Sequence, residues 1–351
     1  TRYPFYNTSE YALGNLGSTK TRQNLQDYIA HFSDNARIIF EQFDFSNTIL
    51  RLDKAGVLFK ICKNFAGIDL HPEAVPDRVM SNLYEHLIRR FGAEVNEGAE
   101  DFMTPRDVVH LATALLLDPD DALFESNPGL IRTLYDPTCG TGGFLTSALK
   151  ILDSQVQTPA DRELYARSVY GIEKKQLPYL LCVTNMLLHD IDNPEVFHDN
   201  SLEKDVREWK HKPDGQFDVV LMNPPYGGSE SASVQNNFPV ALRSSETADL
   251  FLGLILYRLK RGGRAAVIIP DGFLFGQDSA KTEIKRRLLE DMNLHTVLRL
   301  PQSVFAPYTS ITTNVLFFDN TGASEGVWFY RMDMPEGYKH FSKTKPIRIE
   351  H

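Results

Sequence analysis

The chain has 351 residues, 42% of them hydrophobic, which is ample for a large core and for two domains; it holds no run of about twenty apolar residues, so a membrane-spanning helix is not expected. A net charge of −9 and a pI near 5.6 argue against a protein that grips a polyanion by itself. The three cysteines, Cys62, Cys139 and Cys182, have neither metal-ligand nor disulfide-framework spacing, which suits a reducing cytoplasm and predicts no metal site.

Residues 20–100 show helical periodicity, clearest over 35–43, 57–65 and 82–91, without a strand series, and predict an α-helical N-terminal domain over residues 1–100. The first residues carry no charged-then-apolar leader of signal type. Thr104-Pro105 then opens a new element, with Thr104 as N-cap and Pro105 at the first helical position of a helix over 106–117. A Pro/Asp/Asn-rich stretch, 118–129, leads into the first strand, 133–138.

That strand runs into Asp136-Pro137-Thr138-Cys139-Gly140-Thr141-Gly142-Gly143-Phe144 and then into a helical start at Leu145. Glycines in such a turn let a ligand approach the backbone, and the helix N-terminus offers unpaired N–H groups. The spacing matches neither G-x-G-x-x-G nor a P-loop, which makes a nicotinamide-dependent oxidoreductase the least favoured reading. Cys139 sits in this turn without an identifiable base and reads as a small loop residue.

A second strand, 168–173, ends on Glu173, where a carboxylate in a doubly wound sheet meets a ribose diol. A third, 195–198, ends at Asp199-Asn200. Three successive strands ending on Asp136, Glu173 and Asp199 point to one nucleoside crevice. A fourth buried strand, 217–222, stops at Asn223-Pro224-Pro225-Tyr226, because two prolines fix φ and remove two donors. The rim left behind has an amide, a free carbonyl at Pro224 and an aromatic ring. Such a set accepts hydrogen bonds from a planar amino group and stacks on the ring that bears it.

Residues 227–247 are rich in serine and glycine and read as a mobile loop, one that orders over a substrate base or a partner. A long apolar helix, 248–260, precedes a fifth strand, 264–269. Two later runs, 295–300 and 314–319, predict an antiparallel addition. The alternation predicts an α/β fold, a mostly parallel sheet with helices on both faces. The basic groups Arg89-Arg90, Lys260-Arg261 with Arg264, and Lys285-Arg286-Arg287 read first as solvated helix faces.

On these residues the chain resembles the S-adenosylmethionine-dependent methyltransferases that act on adenine N6 in DNA, and more narrowly the modification subunits of type I restriction-modification systems. The narrower likeness rests on Glu100-Asp101-Phe102-Met103-Thr104-Pro105-Arg106-Asp107, on 136–144, on 223–226, on Leu300-Pro301-Gln302-Ser303-Val304-Phe305-Ala306-Pro307, on 313–318 and on 83–91. The chain departs from the family pattern at Glu100-Asp101, where Gly-Gln or similar is usual. The resemblance implies a Rossmann-like seven-stranded sheet with one antiparallel strand, and a catalytic domain over 101–351.

It also implies roles for the site residues. S-adenosylmethionine is the cofactor, with Asp136 and the backbone of Thr138, Cys139, Gly140, Thr141 and Gly142 at its methionine end. Glu173 holds the ribose, Asp199 with Asn200 meets the adenine, and Asp101, Phe102, Met103, Thr104, Pro105 and Arg106 form a wall. Asn223, Pro224, Pro225 and Tyr226 are the catalytic set, and Phe305 is a second candidate for stacking on the base. The partners implied are double-stranded DNA, a separate specificity subunit, as the acidic charge also suggests, and room for a restriction subunit carrying nuclease and translocase activity. The tetrapeptide alone suits any planar nitrogen, so a methyltransferase for protein glutamine or for RNA stays open at this point, as does a non-catalytic module that binds cofactor or partners.

Overall fold

The computed structural model describes residues 5–351 apart from 72, 76–78, 81, 82, 85, 88–103, 119–131, 190, 192, 193, 213, 214, 307, 308, 343, 344 and 349. The chain divides into two compact units, Thr1–Arg90 with Leu180–Asn193, and Phe91–Tyr179 with Pro194–His351.

The first unit contains four helices near its start, α1 (Thr21–Ala30), α2 (Asp34–Gln42), α3 (Phe45–Lys54) and α4 (Leu58–Ala66). They enclose a small core of Leu16, Leu25, Ile49, Leu58 and Cys62. Phe32, Phe40 and Phe45 form a chain of ring contacts at 5.3 and 5.4 Å. Asp44, left-handed at φ 50°, separates α2 from α3. The periodicity over 35–43 and 57–65 corresponds to α2 and α4. Helix α1 escaped it because only Thr21 and Leu25 of its ten residues are buried. The run at 82–91 falls mostly outside the described residues.

In chain order, the elements that follow are α5 (Arg106–Leu117), β1 (Leu134–Asp136), α6 (Gly143–Asp153), α7 (Pro159–Ala166), β2 (Val169–Glu173), α8 (Gln176–Leu187), β3 (Glu195–His198), β4 (Phe217–Met222), α9 (Ala232–Gln235), α10 (Thr247–Arg258), β5 (Leu259–Pro270), α11 (Asp271–Phe275), α12 (Ser279–Glu290), β6 (Asn293–Arg299), β7 (Thr313–Asp319) and β8 (Trp328–Arg331). The strands form one sheet in the order β3-β2-β1-β4-β5-β7-β6-β8. Only β7 runs against its neighbours, antiparallel to β5 and β6, while β6 and β8 pair in parallel. The α/β class and the single antiparallel strand agree with expectation.

The strand number does not: among the described residues the sheet has eight strands rather than seven. Trp328, Phe329, Tyr330 and Arg331 of β8 are all exposed, so this edge strand carries no alternation of apolar and polar residues to betray it. Strand β5 also begins earlier than 264. Phe217 pairs with Leu259 and Val219 with Arg264, so Lys260-Arg261-Gly262-Gly263 bulges out of register. Gly262, at φ 76°, makes that bulge possible, and the preceding helix therefore stops at Arg258.

Two other expectations are corrected. Pro105, not Thr104, is the N-cap residue of α5, with φ −55° and ψ 130°. The segment 227–247 is not a free loop: Val234, Phe238 and Leu242 are buried in the main core, and Ser229 bridges to Glu246. Their four-residue spacing supplies apolar anchors that the serine content outweighed in the sequence reading.

Helix α10 runs through the core with nine consecutive buried residues from Thr247. Among them is Asp249, whose carboxylate meets Lys281 Nζ of α12 at 2.9 Å, with side-chain exposures of 1% and 4%. Glu246 and Asp278 reach the same ammonium at 2.9 and 3.0 Å. Burial opposes the Lys281 charge, but hydrogen bonds to these carboxylates outweigh it and raise its pKa. By contrast Arg286, on the outer face of α12, pairs with Glu283 at 2.9 Å while 43% exposed. Lys281→Met strands Asp249 and should cost roughly 3–5 kcal/mol of stability. Arg286→Ala should cost far less, because water screens an exposed pair. Urea unfolding of both variants measures this, and equal losses would contradict it.

Candidate active site

Strands β1 to β4 run parallel, so their carboxyl ends share one edge of the sheet. That edge carries Asp136, Glu173, Asp199 and Asn223. Strand β1 lies between β2 and β4, and the chain order reverses there, which places a crevice at the switch point.

The turn after β1 depends on glycine. Gly140 and Gly142 have φ of 53° and 83°, and Gly142 is the left-handed N-cap of α6. A Cβ on Gly171 of β2 would lie 2.9 Å from Leu145 Cδ1 and 3.0 Å from Cys139 Sγ. Strand β2 therefore approaches the turn as closely as only glycine allows, and Cys139, buried, fills that contact as the small loop residue expected.

Glu173 reaches into the same turn. Its Oε2 accepts from the Gly140 amide at 2.9 Å and its Oε1 from the Lys175 amide at 2.7 Å. Burial raises its pKa, and these two amides oppose the rise. A carboxylate accepts about four hydrogen bonds, so lone pairs remain for a ribose diol. Asp136 is 2% exposed. Its Oδ1 accepts from the Thr138 amide at 3.0 Å. Burial pushes its pKa up to about 8; the Thr138 amide opposes that rise, and the nearby Glu173 charge adds to it. Among the described residues no cation pairs with Asp136.

Thr138 ties this side of the crevice to the other, donating from Oγ1 to the Asn223 carbonyl at 3.2 Å. The Asn223 side chain is held at both ends. Its Nδ2 donates to Thr104 Oγ1 at 2.9 Å, and its Oδ1 accepts from the Tyr226 hydroxyl. Pro224 is buried and Pro225 partly so. Burial raises the Tyr226 pKa, so its hydroxyl keeps its proton and donates. Thr104, Asp136, Thr138, Gly143, Phe144 and Asn223 line one small cavity.

Phe305 is 2% exposed and meets Tyr226 edge-on at 6.3 Å and 78°, supporting that ring rather than offering a face of its own. Asp199 is exposed beyond β3, its amide donating to the Glu173 carbonyl at 3.2 Å. Asn200 uses Oδ1 to accept from the Leu202 amide at 3.1 Å. Arg106 is exposed and turns along α5, donating from Nε to His110 Nε2 at 3.1 Å. Pro105 sits beside Thr104 at the start of α5. Asp101, Phe102 and Met103 lie outside the described residues.

Two supporting contacts escaped the sequence reading. Ser201 Oγ donates to the Pro137 carbonyl at 2.7 Å, anchoring the turn after β1 to the segment after β3. Arg299 grips Asp271 through both carboxylate oxygens at 3.0 and 2.7 Å, and Asn314 donates to the same carboxylate at 2.7 Å. This clamp joins the ends of β5, β6 and β7 just before the segment that carries Phe305. No local pattern marks either contact, because each partner is distant in sequence.

A family model described as N-6 DNA Methylase matches residues 76–351. The chain is similar to the type I restriction enzyme EcoEI methylase subunit of Escherichia coli, 40% identical over 328 residues, 93% of this chain and 63% of that protein. It is similar to the crystal structure of a modification subunit of a putative type I restriction enzyme from Vibrio vulnificus YJ016, with a TM-score of 0.74 and 37% identity, covering 90% of this chain and 63% of that one. A structure described as the basis of complex assembly and conformational transition of the type I R-M system gives a TM-score of 0.73 at 36% identity, over 88% of this chain and 62% of that one. The chain thus spans 62–63% of the length of these relatives.

The Asp136 environment predicts a pH dependence. The folded protein holds this proton up to about pH 8, whereas the unfolded chain releases it near 3.8. The stability it contributes is full below the unfolded value and is lost as pH rises through the folded one. Without ligand, the urea midpoint should fall between about pH 5 and about pH 9, and Asp136→Asn should flatten that slope. Parallel slopes in the two proteins would contradict the assignment.

Proposed function

This chain belongs to the N-6 DNA methylase family, and we propose that it transfers a methyl group from S-adenosylmethionine to the exocyclic amino group of a flipped adenine in DNA, as the methylase subunit of a type I restriction-modification complex. The observation that carries this reading is the Thr138 bridge. It sets a buried carboxyl, Asp136, which has no cation beside it among the described residues, next to an amide acceptor, Asn223, across the switch point of the sheet.

The donor set fits the methionine end of the cofactor, since Asp136 is buried, faces the cavity and has no positive partner among the described residues. S-adenosylmethionine supplies an electrophilic methyl on a cationic sulfonium. Asp136 and the backbone from Thr138 to Gly142 would hold its ammonium and carboxylate ends, Glu173 the ribose, and Asp199 with Asn200 the adenine. Phe102 and Met103 complete the wall in the same proposal.

On the substrate side, the lone pair of adenine N6 is delocalised into the ring and attacks poorly. Accepting hydrogen bonds from it at Asn223 Oδ1 and at the Pro224 carbonyl localises that pair on nitrogen. Positioning and electrostatic stabilisation then carry the rate. An adenine inside a duplex cannot reach this rim, so the base must flip, at a cost of about a few kcal/mol. Tyr226 stacking recovers roughly 1–3 kcal/mol of that, with Phe305 braced against its edge.

A net charge of −9 favours a separate specificity subunit that reads the DNA. The relatives' names as subunits of type I restriction enzymes support such an assembly, with a restriction subunit as a further member. The same reading assigns residues 1–100 as a helical N-terminal domain and 101–351 as the catalytic domain. The alternatives, a methyltransferase for protein glutamine or for RNA and a non-catalytic module that binds cofactor or partners, find no support in these likenesses.

Cells that express this chain with its genomic neighbours should contain N6-methyladenine by mass spectrometry of digested DNA. Asn223→Ala should remove the signal and leave S-adenosylmethionine binding within about threefold of wild type; persistent signal would reject the role of Asn223. Tyr226→Ala should lose roughly 5- to 150-fold in transfer, the equivalent of one stacked base, again with cofactor affinity kept. Transfer within about twofold of wild type would show that the ring does not stack.

A further inference from the structure

An asparagine side chain has a donor end and an acceptor end of nearly the same shape, and rotation about χ2 exchanges them. Only one orientation of Asn223 serves the proposed reaction. The adenine amino group donates hydrogens, so it needs Oδ1, and Nδ2 must then find an acceptor elsewhere in a partly buried site. Thr104 Oγ1 stands at that place, 2.9 Å from Nδ2. The opposite end of the amide already shows what the substrate end requires: Oδ1 accepts from the Tyr226 hydroxyl, a donor in the position that an amino group must take.

We infer that Thr104 is a positioning residue for transfer: its hydroxyl accepts from Asn223 Nδ2 and so holds Oδ1 towards the substrate amine, while the Tyr226 hydroxyl occupies Oδ1 until the base arrives. This goes beyond a place in the cofactor wall and rests on the reading of Asn223 as the amine acceptor. The surroundings of Thr104 suit the task. Pro105, the N-cap of α5, has its φ fixed by its ring, and its carbonyl accepts from the Val109 amide at 3.0 Å, so the backbone beside Thr104 is held. Asn223 is held from its other side by Thr138, which accepts no part of the amide and bonds only its carbonyl. The orientation of the amide therefore depends on Thr104 and Tyr226 alone among the hydrogen bonds described. When Tyr226 turns to stack on a flipped base its hydroxyl leaves Oδ1, and Thr104 is then the contact that keeps the acceptor facing the amine.

Valine matches threonine in shape and removes the acceptor. In Thr104→Val the productive orientation leaves Nδ2 unpaired, and the single-turnover rate at saturating S-adenosylmethionine should fall roughly 5- to 150-fold. The dissociation constant for S-adenosylmethionine should stay within about twofold, and Thr104→Ser should restore the rate to within about threefold. The assay uses the assembled complex with its DNA. A wild-type rate in Thr104→Val overturns the inference, and so does a loss confined to cofactor affinity, which would leave Thr104 as wall only. Hydrogen exchange of the Asn223 side-chain amide, in protein labelled with nitrogen-15 asparagine, gives a readout independent of turnover. Slower exchange in wild type and Thr104→Ser than in Thr104→Val supports the contact, and equal exchange in all three overturns it. If wild type transfers no methyl to DNA, the functional reading fails, and the exchange data still decide whether Thr104 orients the amide.

Discussion

Between β1 and β4, where the order of the sheet reverses, the ladder ends at Tyr135 and Val220. Beyond that point the Thr138 hydroxyl spans the gap to the Asn223 carbonyl, while the Thr138 amide holds the Asp136 carboxyl. One residue therefore sets the spacing between the carboxyl side of the crevice and the amide side. A transfer reaction needs that spacing to within a fraction of an ångström, since a small misplacement of the acceptor costs rate steeply. The glycine turn, the close approach of Gly171 and the carboxylate of Glu173 all serve to place Thr138.

Charge is distributed to the same end. Burial holds the proton on the carboxyl that faces the crevice near neutral pH, with no cation beside it among the described residues. Four of the basic side chains noted in the sequence are engaged within the chain instead. Lys260 reaches Asp218 at 3.0 Å, Arg286 and Arg287 share Glu283, and Lys285 bonds the carbonyls of Leu274 and Gly276. Cations committed to neighbouring carboxylates and carbonyls contribute little to holding a phosphate backbone. That supports the proposal that another subunit supplies much of the DNA affinity.

The errors of the sequence reading have local causes. The segment 227–247 looked mobile because serine and glycine dominate its composition, yet Val234, Phe238 and Leu242 fasten it to the core. Strand β8 was invisible because both of its faces are exposed. Thr104 matches the N-cap pattern in sequence, yet Pro105 occupies that position and the threonine turns to Asn223.

The strand ends, the glycine turn and the Asn-Pro-Pro-Tyr rim were determined by the sequence itself. Their signals are short-range: apolar runs of strand length, glycines where φ turns positive, and prolines that remove ladder donors. With the parallel order of β1 to β4, these place Asp136, Glu173, Asp199 and Asn223 on one edge. What only the tertiary structure decided is which side chains touch there. The Thr104 contact with Asn223, the clamp of Arg299 on Asp271 and the buried pair of Asp249 with Lys281 join residues 119, 28 and 32 positions apart. A contact at such separation leaves no periodic trace, because it depends on how two surfaces meet and not on the neighbours of either residue along the chain.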